Sequence, residues 1–317
     1  TVKSHDLLDR HRHNMPEWLV KPLKEQLDNK PGAGFWQYVA SLNDTPGLDL
    51  RVNMLTDKRE EVAKELTKVA ITAEPMPYSP WGLRVTGKTD LRNLSAYKRG
   101  AIEVQDEGSQ LLALLVDAKR GEMVADFCAG AGGKTLALGA AMRNTGRLYA
   151  FDTSAHRLDA LKPRLARSSL SNIHPAVIAH ERDERIKRLA GKMDRVLVDA
   201  PCSGLGTLRR NPAIKWRLSP KDIEDMAKLQ AAILQSASRL VKSGGRLVYA
   251  TCSLLKEENE AIALQFSAAN PDFKMLPVGE VLTQLKVENA DTLCSGTGQE
   301  GSMGTEYLRL WPHIHGT

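Results

Sequence analysis

Apolar residues recur at helical spacing over residues 1–30 and stop at a Pro-Gly pair at 31–32. This spacing predicts short helices followed by a linker. Residues 48–56 then alternate between apolar and polar, as in a strand, and residues 57–69 have the pattern of an amphipathic helix that begins at Asp57. Extended structure is imposed next by Pro75, Pro77 and Pro80. The pattern predicts a small α/β unit.

The pattern becomes regular from about residue 100, where short apolar runs alternate with helix-length segments. The runs cover residues 123–128, 147–151, 174–179, 194–199 and 246–251. Such alternation predicts a parallel sheet with helices on both faces. We therefore expect a Rossmann-like α/β domain over residues 99–317, preceded by linker helices and a small α/β subdomain over residues 1–98. Ligands of such sheets bind beyond the carboxyl ends of the strands, so the residues that end these runs should share one crevice.

The composition is that of a globular protein, with 317 residues of which 42% are hydrophobic. Lys and Arg outnumber Asp and Glu by 44 to 38, a mild bias toward polyanions that does not by itself establish nucleic-acid binding. The four cysteines lack CxxC spacing, so we expect neither a metal site nor a disulfide framework. Since no apolar run reaches about 18 residues and no signal peptide is visible, we expect a soluble, cytoplasmic protein. We also expect it to be a monomer. The chain begins with Thr1, so we expect residues to be missing upstream.

A glycine-rich segment follows the first apolar run of the large domain, in Asp126-Phe-Cys-Ala-Gly-Ala-Gly-Gly-Lys-Thr135. Glycines let the backbone approach a ligand closely, and the N-terminus of the following helix offers N–H groups to negative charge. A tight strand-to-helix turn without a ligand is the alternative. The segment is not a P-loop, because that motif needs glycine where Cys128 stands, and this argues against an ATPase.

Acidic residues follow the next two apolar runs. Asp152 stands where a carboxylate can accept both hydroxyls of a ribose, but it can also cap the helix that starts at Ser154. Asp183 can accept a hydrogen bond from an adenine amino group, but it can equally be one more solvated residue in a charged segment. The sequence alone leaves both alternatives open.

Two cysteines follow the fourth and fifth runs, in Asp199-Ala-Pro-Cys202 and Thr-Cys252-Ser. Either alone is typical of a buried structural residue, but neighbouring strand ends would bring both within side-chain reach. Addition of a thiolate to carbon 6 of cytosine activates carbon 5 toward a methyl donor, which is covalent catalysis. Asp199, as a protonated or hydrogen-bonded carboxyl, can neutralise the negative charge that develops at N3 of the base. The second thiol can assist the loss of the hydrogen on carbon 5. A methyltransferase for exocyclic amino groups would carry Pro-aromatic where this chain has Cys-Ser, so we reject that class.

Together these segments resemble the Sun family of RNA cytosine-5 methyltransferases, whose bacterial members modify ribosomal RNA. The resemblance runs from about Leu50 to Pro312 and rests on LRVN, VQDEGSQLLALL, DFCAGAGGKT, DAPCSGLGTLRRNP and YATCSLLKEENE, in family order. It implies S-adenosyl-L-methionine as cofactor, an RNA substrate and an RNA-binding role for the small subdomain. It also implies that Cys252 attacks the base and Cys202 assists release. Chemistry alone leaves that order open, because DNA cytosine methyltransferases use the other cysteine.

The resemblance further implies a set of cofactor contacts, namely Cys128, Ala129, Gly130, Ala131, Gly132, Gly133, Lys134, Asp152, Arg157, Asp183 and Asp199. Two features depart from the family pattern. The usual Ala-Pro is Gly130-Ala131 here, which we expect to loosen the loop without removing a ligand. The chain also ends at LRLWPHIHGT, before the segment that leads into the family's last strand, so we expect that strand to be missing.

A basic stretch with one aromatic residue follows Cys202. We predict RNA contacts for Arg209, Arg210 and Lys215 and stacking of Trp216 on an unpaired nucleotide. A solvated loop with Trp216 in the core is the alternative. The RNA track would extend to the domain junction, at Lys98 and Arg99. Surface positions are expected for four histidines, His11, His13, His313 and His315.

Three hypotheses compete with a cytosine-5 methyltransferase for ribosomal RNA. A methyltransferase for tRNA would carry the same motifs. A non-catalytic ribosome-assembly factor would not need Asp199, Cys202 and Cys252, which are all present. A DNA cytosine methyltransferase is disfavoured by the order of the motifs and by the lack of a target-recognition insert. The sequence does not indicate which RNA or which cytosine is modified.

Overall fold

The computed structural model describes residues 14–28, 34–87, 89–296, 304 and 306–317. The described chain begins with two helices, Glu17–Leu27 (α1) and Phe35–Ser41 (α2). The first lies where the apolar spacing predicts short helices, whereas the second follows the Pro-Gly pair at 31–32, where the pattern predicts a linker. Both helices belong to an apolar cluster that includes Leu205, Leu254 and Trp311. They therefore pack against the loops that follow the two cysteines of the large domain.

The small domain is built on a four-stranded sheet. Its strands are Leu48–Val52 (β1), Ala73–Pro75 (β2), Gly82–Val85 (β3) and Ile102–Val104 (β4). They lie in the order β2-β3-β1-β4, and all neighbours are antiparallel. Between them lie the helices Arg59–Lys68 (α3) and Ser95–Lys98 (α4) and the 3-10 helix Leu91–Asn93. Because β4 lies beyond residue 98, the small sheet includes residues that the sequence pattern assigns to the large domain.

The prediction that Asp57 begins the first helix of the small domain is wrong. The N-cap residue of α3 is Lys58, which makes no side-chain cap. The Asp57 carboxylate instead accepts hydrogen bonds from Arg99 (2.8 Å) and from the Thr56 hydroxyl (2.7 Å). A partner as distant in sequence as Arg99 is not visible in the local pattern.

Five parallel strands form the large sheet. They are Met123–Asp126 (β5), Arg147–Asp152 (β6), Ile173–Val177 (β7), Met193–Asp199 (β8) and Val241–Ala250 (β9). Their order is β7-β6-β5-β8-β9. This order confirms the predicted Rossmann-like fold. The strand order reverses beside β5, and ligands of such sheets bind at the carboxyl ends of the strands at that point.

Helices cover both faces of the large sheet. They are Glu107–Val116 (α5), Gly133–Ala141 (α6), Ala155–Ser168 (α7), Glu184–Lys187 (α8), Pro220–Ser238 (α10) and Glu260–Ala269 (α11). The short helix Ile214–Arg217 (α9) packs instead in the apolar cluster of α1 and α2. The side chains of β6 alternate between the two faces, as expected for a strand. Leu148 and Ala150 join one apolar cluster with residues of α6 and α7, and Phe151 joins another with residues of α10.

The C-terminal part of the chain forms short elements. They are the helices Val278–Gln284 (α12) and Pro312–His315 (α13) and the paired strands Cys294–Ser295 (β10) and Tyr307–Leu308 (β11). Trp311 is buried in the cluster that contains α1 and α2. Within the described ranges the large sheet ends at β9. A search of the same ranges finds no helix with the length and apolar character of a membrane span.

Candidate active site

The glycine-rich segment forms the turn between β5 and α6. Gly132 precedes α6 with a φ of +80°, and a Cβ there would lie 2.2 Å from the side chain of Leu161. Only glycine combines a readily adopted positive φ with the absence of a Cβ atom. Gly130 also has a positive φ, +55°, but no atom lies within 4 Å of the position that a Cβ would take. The turn therefore leaves open space beside Gly130, at the carboxyl end of β5.

Asp152, the last residue of β6, holds this turn in place. Its carboxylate accepts hydrogen bonds from the N–H groups of Gly130 (2.8 Å) and Ser154 (2.7 Å). Ser154 is the N-cap residue of α7, and its hydroxyl accepts from the N–H of Arg157, so Asp152 is not the cap of that helix. Each oxygen of Asp152 retains a lone pair for a ligand hydroxyl. The Arg157 side chain is exposed in the first turn of α7.

Asp126, the last residue of β5, is completely buried, and the Thr135 hydroxyl donates to it at 2.7 Å. Burial raises the pKa of this carboxyl to about 7. Burial also raises the pKa of the Cys128 thiol, which keeps that cysteine protonated and unreactive. Nothing in the sequence pattern distinguishes Asp126 from an ordinary strand end.

Lys134 extends from the first turn of α6 to the end of β8, where its ammonium lies 2.7 Å from Asp199 Oδ2. Burial by itself would lower the pKa of Lys134, but the charge of Asp199 and the hydrogen bond to it outweigh burial and raise that pKa. The Asp199 side chain is 30% exposed, so it remains accessible to a ligand. This ion pair joins the glycine-rich turn to the strand that leads to Cys202.

The thiols of Cys202 and Cys252 meet beyond the ends of β8 and β9. The two strands are paired with Asp199 opposite Ala250, so the segments that follow start side by side. The two Sγ atoms lie 3.2 Å apart, and Cys252 is exposed whereas Cys202 is half-buried. A hydrogen bond from Cys202 lowers the pKa of Cys252, and the same bond raises the pKa of Cys202. These opposite pKa shifts, together with the exposure of Cys252, favour a thiolate at Cys252 and a neutral thiol at Cys202.

Asp183 lies after β7 and is the N-cap residue of α8. Its carboxylate accepts hydrogen bonds from the backbone N–H groups of Ala179 (2.9 Å) and Arg185 (2.8 Å). These bonds lower the pKa of Asp183. Asp183 is therefore ordered by its own loop and is not simply a solvated residue, and its side chain is only half-buried.

Two predicted RNA-binding arginines are engaged within the protein. Arg209 donates to the carbonyl oxygen of Gly316 at 2.8 Å. Arg210 pairs with Asp106 at 3.2 Å, and 47% of its side chain is exposed. Arg209 thus ties the loop after Cys202 to the C-terminal segment, a contact between residues that are remote in sequence.

The other predicted RNA-binding residues differ in exposure. Lys215 is buried, whereas Trp216 is 54% exposed, so the alternative that places Trp216 in the core is wrong. Lys98 is exposed on the surface of the small domain. Its neighbour Arg99 is held in an ion pair with Glu65 at 2.6 Å.

The prediction of a surface position is wrong for His315, which is buried. Its Nδ1 accepts a hydrogen bond from the N–H of Trp311 (2.8 Å), and its Nε2 lies 3.0 Å from the carbonyl oxygen of Thr292. His313 is half-buried. Two other histidines, His11 and His13, lie outside the described residues. Among the side chains that the structure describes, no cluster of three or more His, Cys, Asp or Glu could hold a metal ion.

Glu258 is a further residue of the site, and sequence analysis did not single it out. It is fully buried, and its carboxylate accepts hydrogen bonds from Ser203 and Ser253, which directly follow the two cysteines. Its neighbour Glu257 is exposed. The segment KEENE contains three glutamates, of which Glu258 and Glu260 are buried and Glu257 is exposed, and only the tertiary structure makes this distinction.

A parallel sheet with its order reversal beside β5, a glycine-rich turn after β5 and aspartates at the ends of β6 and β8 define a Rossmann-like methyltransferase domain. Residues 113–317 match the family described as 16S rRNA methyltransferase RsmB/F, and residues 15–92 match the ferredoxin-like domain of RsmF/B-like methyltransferases. The chain belongs to the RsmB/F family of 16S rRNA methyltransferases. This confirms the resemblance inferred from the motifs.

Two relatives of this chain are longer than the chain itself. The probable ribosomal RNA small subunit methyltransferase B of Synechocystis sp. is 36% identical over 308 residues, which are 96% of this chain and 65% of the relative. The ribosomal RNA small subunit methyltransferase B of Pasteurella multocida is 34% identical over 306 residues, which are 95% of this chain and 63% of the relative. The chain thus spans slightly less than two thirds of the length of these relatives.

Solved structures share the two-domain fold. A methyltransferase homolog protein from Pyrococcus horikoshii has a TM-score of 0.79 at 27% identity, with 99% of this chain and 96% of that chain covered. The structure of NSun6 from Pyrococcus horikoshii with SFG has a TM-score of 0.75 at 22% identity, with 94% of this chain and 95% of that chain covered. At 22% identity, the similarity to NSun6 shows only that the fold is shared.

Proposed function

We propose that this chain is an S-adenosyl-L-methionine-dependent methyltransferase that modifies carbon 5 of cytosine in small-subunit ribosomal RNA. The observation that carries the proposal is the pair of facing thiols, with the Sγ atoms of Cys202 and Cys252 at 3.2 Å. The names of the relatives in Synechocystis and Pasteurella support ribosomal RNA as the substrate. That substrate would place the protein in the cytoplasm.

The residues at the carboxyl ends of β5, β6 and β7 fit S-adenosyl-L-methionine, which supplies the methyl group. Open space beside Gly130 lets a ligand approach the backbone. Asp152 is fixed by two backbone N–H groups and can still accept hydrogen bonds from ribose hydroxyls. Arg157 and Asp183 are accessible to solvent and complete the proposed set.

Cys252 is the proposed nucleophile. Its thiolate forms a bond to carbon 6 of cytosine, and the electron pair of the ring double bond moves away from carbon 6, which makes carbon 5 nucleophilic. Asp199 is assigned to pass a proton to N3, which neutralises the negative charge that develops there, and the ammonium of Lys134, 2.7 Å away, can return a proton to the carboxylate. The target base must leave its stack to reach the thiol, so an unpaired or flexible cytosine is the expected target.

Cys202 is the proposed base for product release. After methyl transfer, carbon 5 carries both the methyl group and its original hydrogen. Removal of that hydrogen as a proton restores the ring double bond and expels the Cys252 thiolate from carbon 6. While Cys252 is bonded to the base it is no longer charged, so the hydrogen bond that raises the pKa of Cys202 in the free protein is lost. Cys202 can then lose its own proton to water, and the resulting thiolate accepts the proton from carbon 5.

RNA contacts are proposed for the exposed groups near this crevice. Trp216 offers a stacking surface beside the loop that follows Cys202, and Lys98 offers a cation on the small domain. Arg210 can exchange its exposed ion pair for a phosphate. Arg209 and Arg99 are engaged in contacts within the protein and Lys215 is buried, so each is proposed to reach RNA with only part of its side chain.

The test uses RNA transcribed with tritium at carbon 5 of cytosine. Methylation at carbon 5 must release that tritium to water, whereas methylation at the exocyclic amino group or at a ribose would not. Release should require S-adenosyl-L-methionine and should be absent in Cys252→Ala. Small-subunit ribosomal RNA and tRNA serve as competing substrates. Methyl incorporation without tritium release, or a preference for tRNA, would contradict the proposal.

A further inference from the structure

Glu258 ends the 3-10 helix Lys256–Glu258, shortly after Cys252, and 0% of its surface is exposed. Its carboxylate accepts hydrogen bonds from the N–H of Ser203 (2.8 Å), from Gln230 Nε2 (3.0 Å) and from the hydroxyls of Ser203 and Ser253. All of these donors are uncharged groups. A buried carboxylate that loses its donors is costly, so this network holds Glu258 in one position.

The donors belong to the segments that carry the two cysteines. Ser203 follows Cys202, Ser253 follows Cys252, and the two hydroxyl oxygens lie 3.1 Å apart although the serines are 50 residues apart in sequence. Gln230, on α10, also donates to the carbonyl oxygen of the residue before Cys202. The Glu258 carboxylate is therefore the common acceptor of the two cysteine loops.

We propose that Glu258 is a positioning residue that holds the two cysteine loops together and thereby sets the 3.2 Å spacing of the sulfur atoms of Cys202 and Cys252. Strand pairing ends at Asp199 and Ala250, before either cysteine, and the Glu258 network continues the connection beyond that point. Catalytic groups must be held to within about 0.5 Å of their working geometry. The consequence for methylation rests on the proposed function, whereas the consequence for the spacing does not.

The charges support the same role. The hydrogen bond to Cys252 and burial raise the pKa of Cys202, and the negative charge of Glu258 raises it further. Glu258 thus favours the neutral Cys202 thiol that donates its hydrogen bond to Cys252.

Three substitutions separate geometry from charge. Glu258→Gln retains the length of the side chain and one oxygen acceptor, and the serine hydroxyls can turn to accept from its amide group. Glu258→Ala removes every acceptor. Glu257→Ala is the matched control, because Glu257 lies in the same 3-10 helix and is exposed.

The direct measurement is the rate at which diamide links Cys202 to Cys252, followed by mass spectrometry of the joined peptides. Diamide takes up one hydrogen from each thiol, and a disulfide forms between the sulfurs. The reaction needs neither RNA nor cofactor, so its result is independent of the proposed function. We expect Glu258→Ala to slow disulfide formation by about tenfold or more, and Glu258→Gln and Glu257→Ala to stay within about threefold of the wild-type rate.

A wild-type rate in Glu258→Ala, or a slow rate in either of the other two variants, would overturn the proposal. If circular dichroism shows that Glu258→Ala does not fold, the double variant Ser203→Ala, Ser253→Ala replaces it, with the same expected loss and the same contrary result. In a methylation assay, Glu258→Ala should lower kcat and leave the KM for RNA unchanged. A raised KM at unchanged kcat would mean that Glu258 acts on RNA binding instead.

Discussion

The ammonium of Lys134 lies 2.7 Å from the carboxylate of Asp199, which joins the glycine-rich turn to the end of β8. The same lysine affects Cys252. The hydrogen bond from Cys202 is the main cause of the lowered pKa of Cys252, and the positive charge of Lys134 lowers it further, while the charge of Asp199 opposes it. The ion pair therefore couples the glycine-rich turn to the reactivity of the thiol.

Lys134→Met should raise the pKa of Cys252, because the charge of Asp199 would then act without a cation beside it. The variant should be alkylated more slowly at neutral pH, since less of Cys252 is thiolate. The rate of iodoacetamide labelling of the Cys252 peptide is measured across a pH series, and the midpoint of its rise with pH gives the pKa of Cys252. Lys162→Met is the matched control, because Lys162 also lies 2.7 Å from an aspartate, Asp159, but on an exposed surface. A midpoint that is the same in Lys134→Met and in the control would contradict this coupling.

The two cysteine variants should give different products. Cys252→Ala should abolish methylation and leave no covalent protein–RNA species, because no thiolate remains to attack carbon 6. Cys202→Ala should still attack and methylate but release slowly, so a denaturant-resistant adduct should accumulate. A denaturing gel with labelled RNA shows both outcomes. An adduct in Cys252→Ala and none in Cys202→Ala would reverse the assigned roles.

Asp152→Ala should weaken the binding of S-adenosyl-L-methionine by roughly 1.5 to 3 kcal/mol, the scale of losing hydrogen bonds to a charged group. The loss has two sources, the ribose contact and the support that Asp152 gives to Gly130. Titration calorimetry measures the affinity. Asp159→Ala, at an exposed aspartate of α7, should bind as the wild type does. Unchanged affinity in Asp152→Ala, with the fold intact, would remove Asp152 from the cofactor site.

Trp216→Ala should weaken RNA binding by about 1 to 3 kcal/mol, the usual effect of removing a ring on which a base stacks. Because Trp216 is 54% exposed, the free energy of unfolding should change by less than about 0.5 kcal/mol. Fluorescence anisotropy with labelled RNA and urea denaturation measure the two quantities. Leu229→Ala, at another exposed apolar residue, is the control and should leave binding unchanged. Equal RNA affinity in both variants would mean that Trp216 does not touch RNA.

Asp126 should make the stability of the protein fall as the pH rises. Its pKa is about 7 in the folded protein against an ordinary value of 3.8, because burial disfavours the charge. The folded state therefore binds the proton more tightly, and this stabilisation is full below about pH 4 and is lost as the pH rises through about 7.

Asp126→Asn cannot ionise, so it should be more stable than the wild type. Its advantage should be larger at pH 8 than at pH 5 by more than about 1 kcal/mol. The free energy of unfolding from urea titrations at the two pH values gives this difference. Asp44→Asn, at an exposed aspartate, should show no such pH-dependent gain. An equal gain of Asp126→Asn at both pH values would show that Asp126 does not change its charge over this range.

Local patterns of the sequence determined the fold class, the run of parallel strands and the family. Each β-strand of the large sheet is encoded by its own apolar run, and each turn by nearby glycine or proline, so the prediction needs no knowledge of distant residues. The meeting of Cys202 and Cys252 also follows, because neighbouring parallel strands end at the same edge of a sheet. The start of α3 could not be obtained in this way. Asp57 has the pattern of a residue that begins a helix, but its carboxylate pairs with Arg99, which is distant in sequence.

Only the tertiary structure decided which polar residues are buried and what they contact. The tie between Lys134 and Asp199, the burial of His315 and the contact of Arg209 with Gly316 all join residues that are remote in sequence. Glu258 is an example, because nothing in the local sequence separates it from its exposed neighbour Glu257. Burial and hydrogen-bond partners depend on chain segments brought together by folding, and a one-dimensional pattern records only the neighbours along the chain.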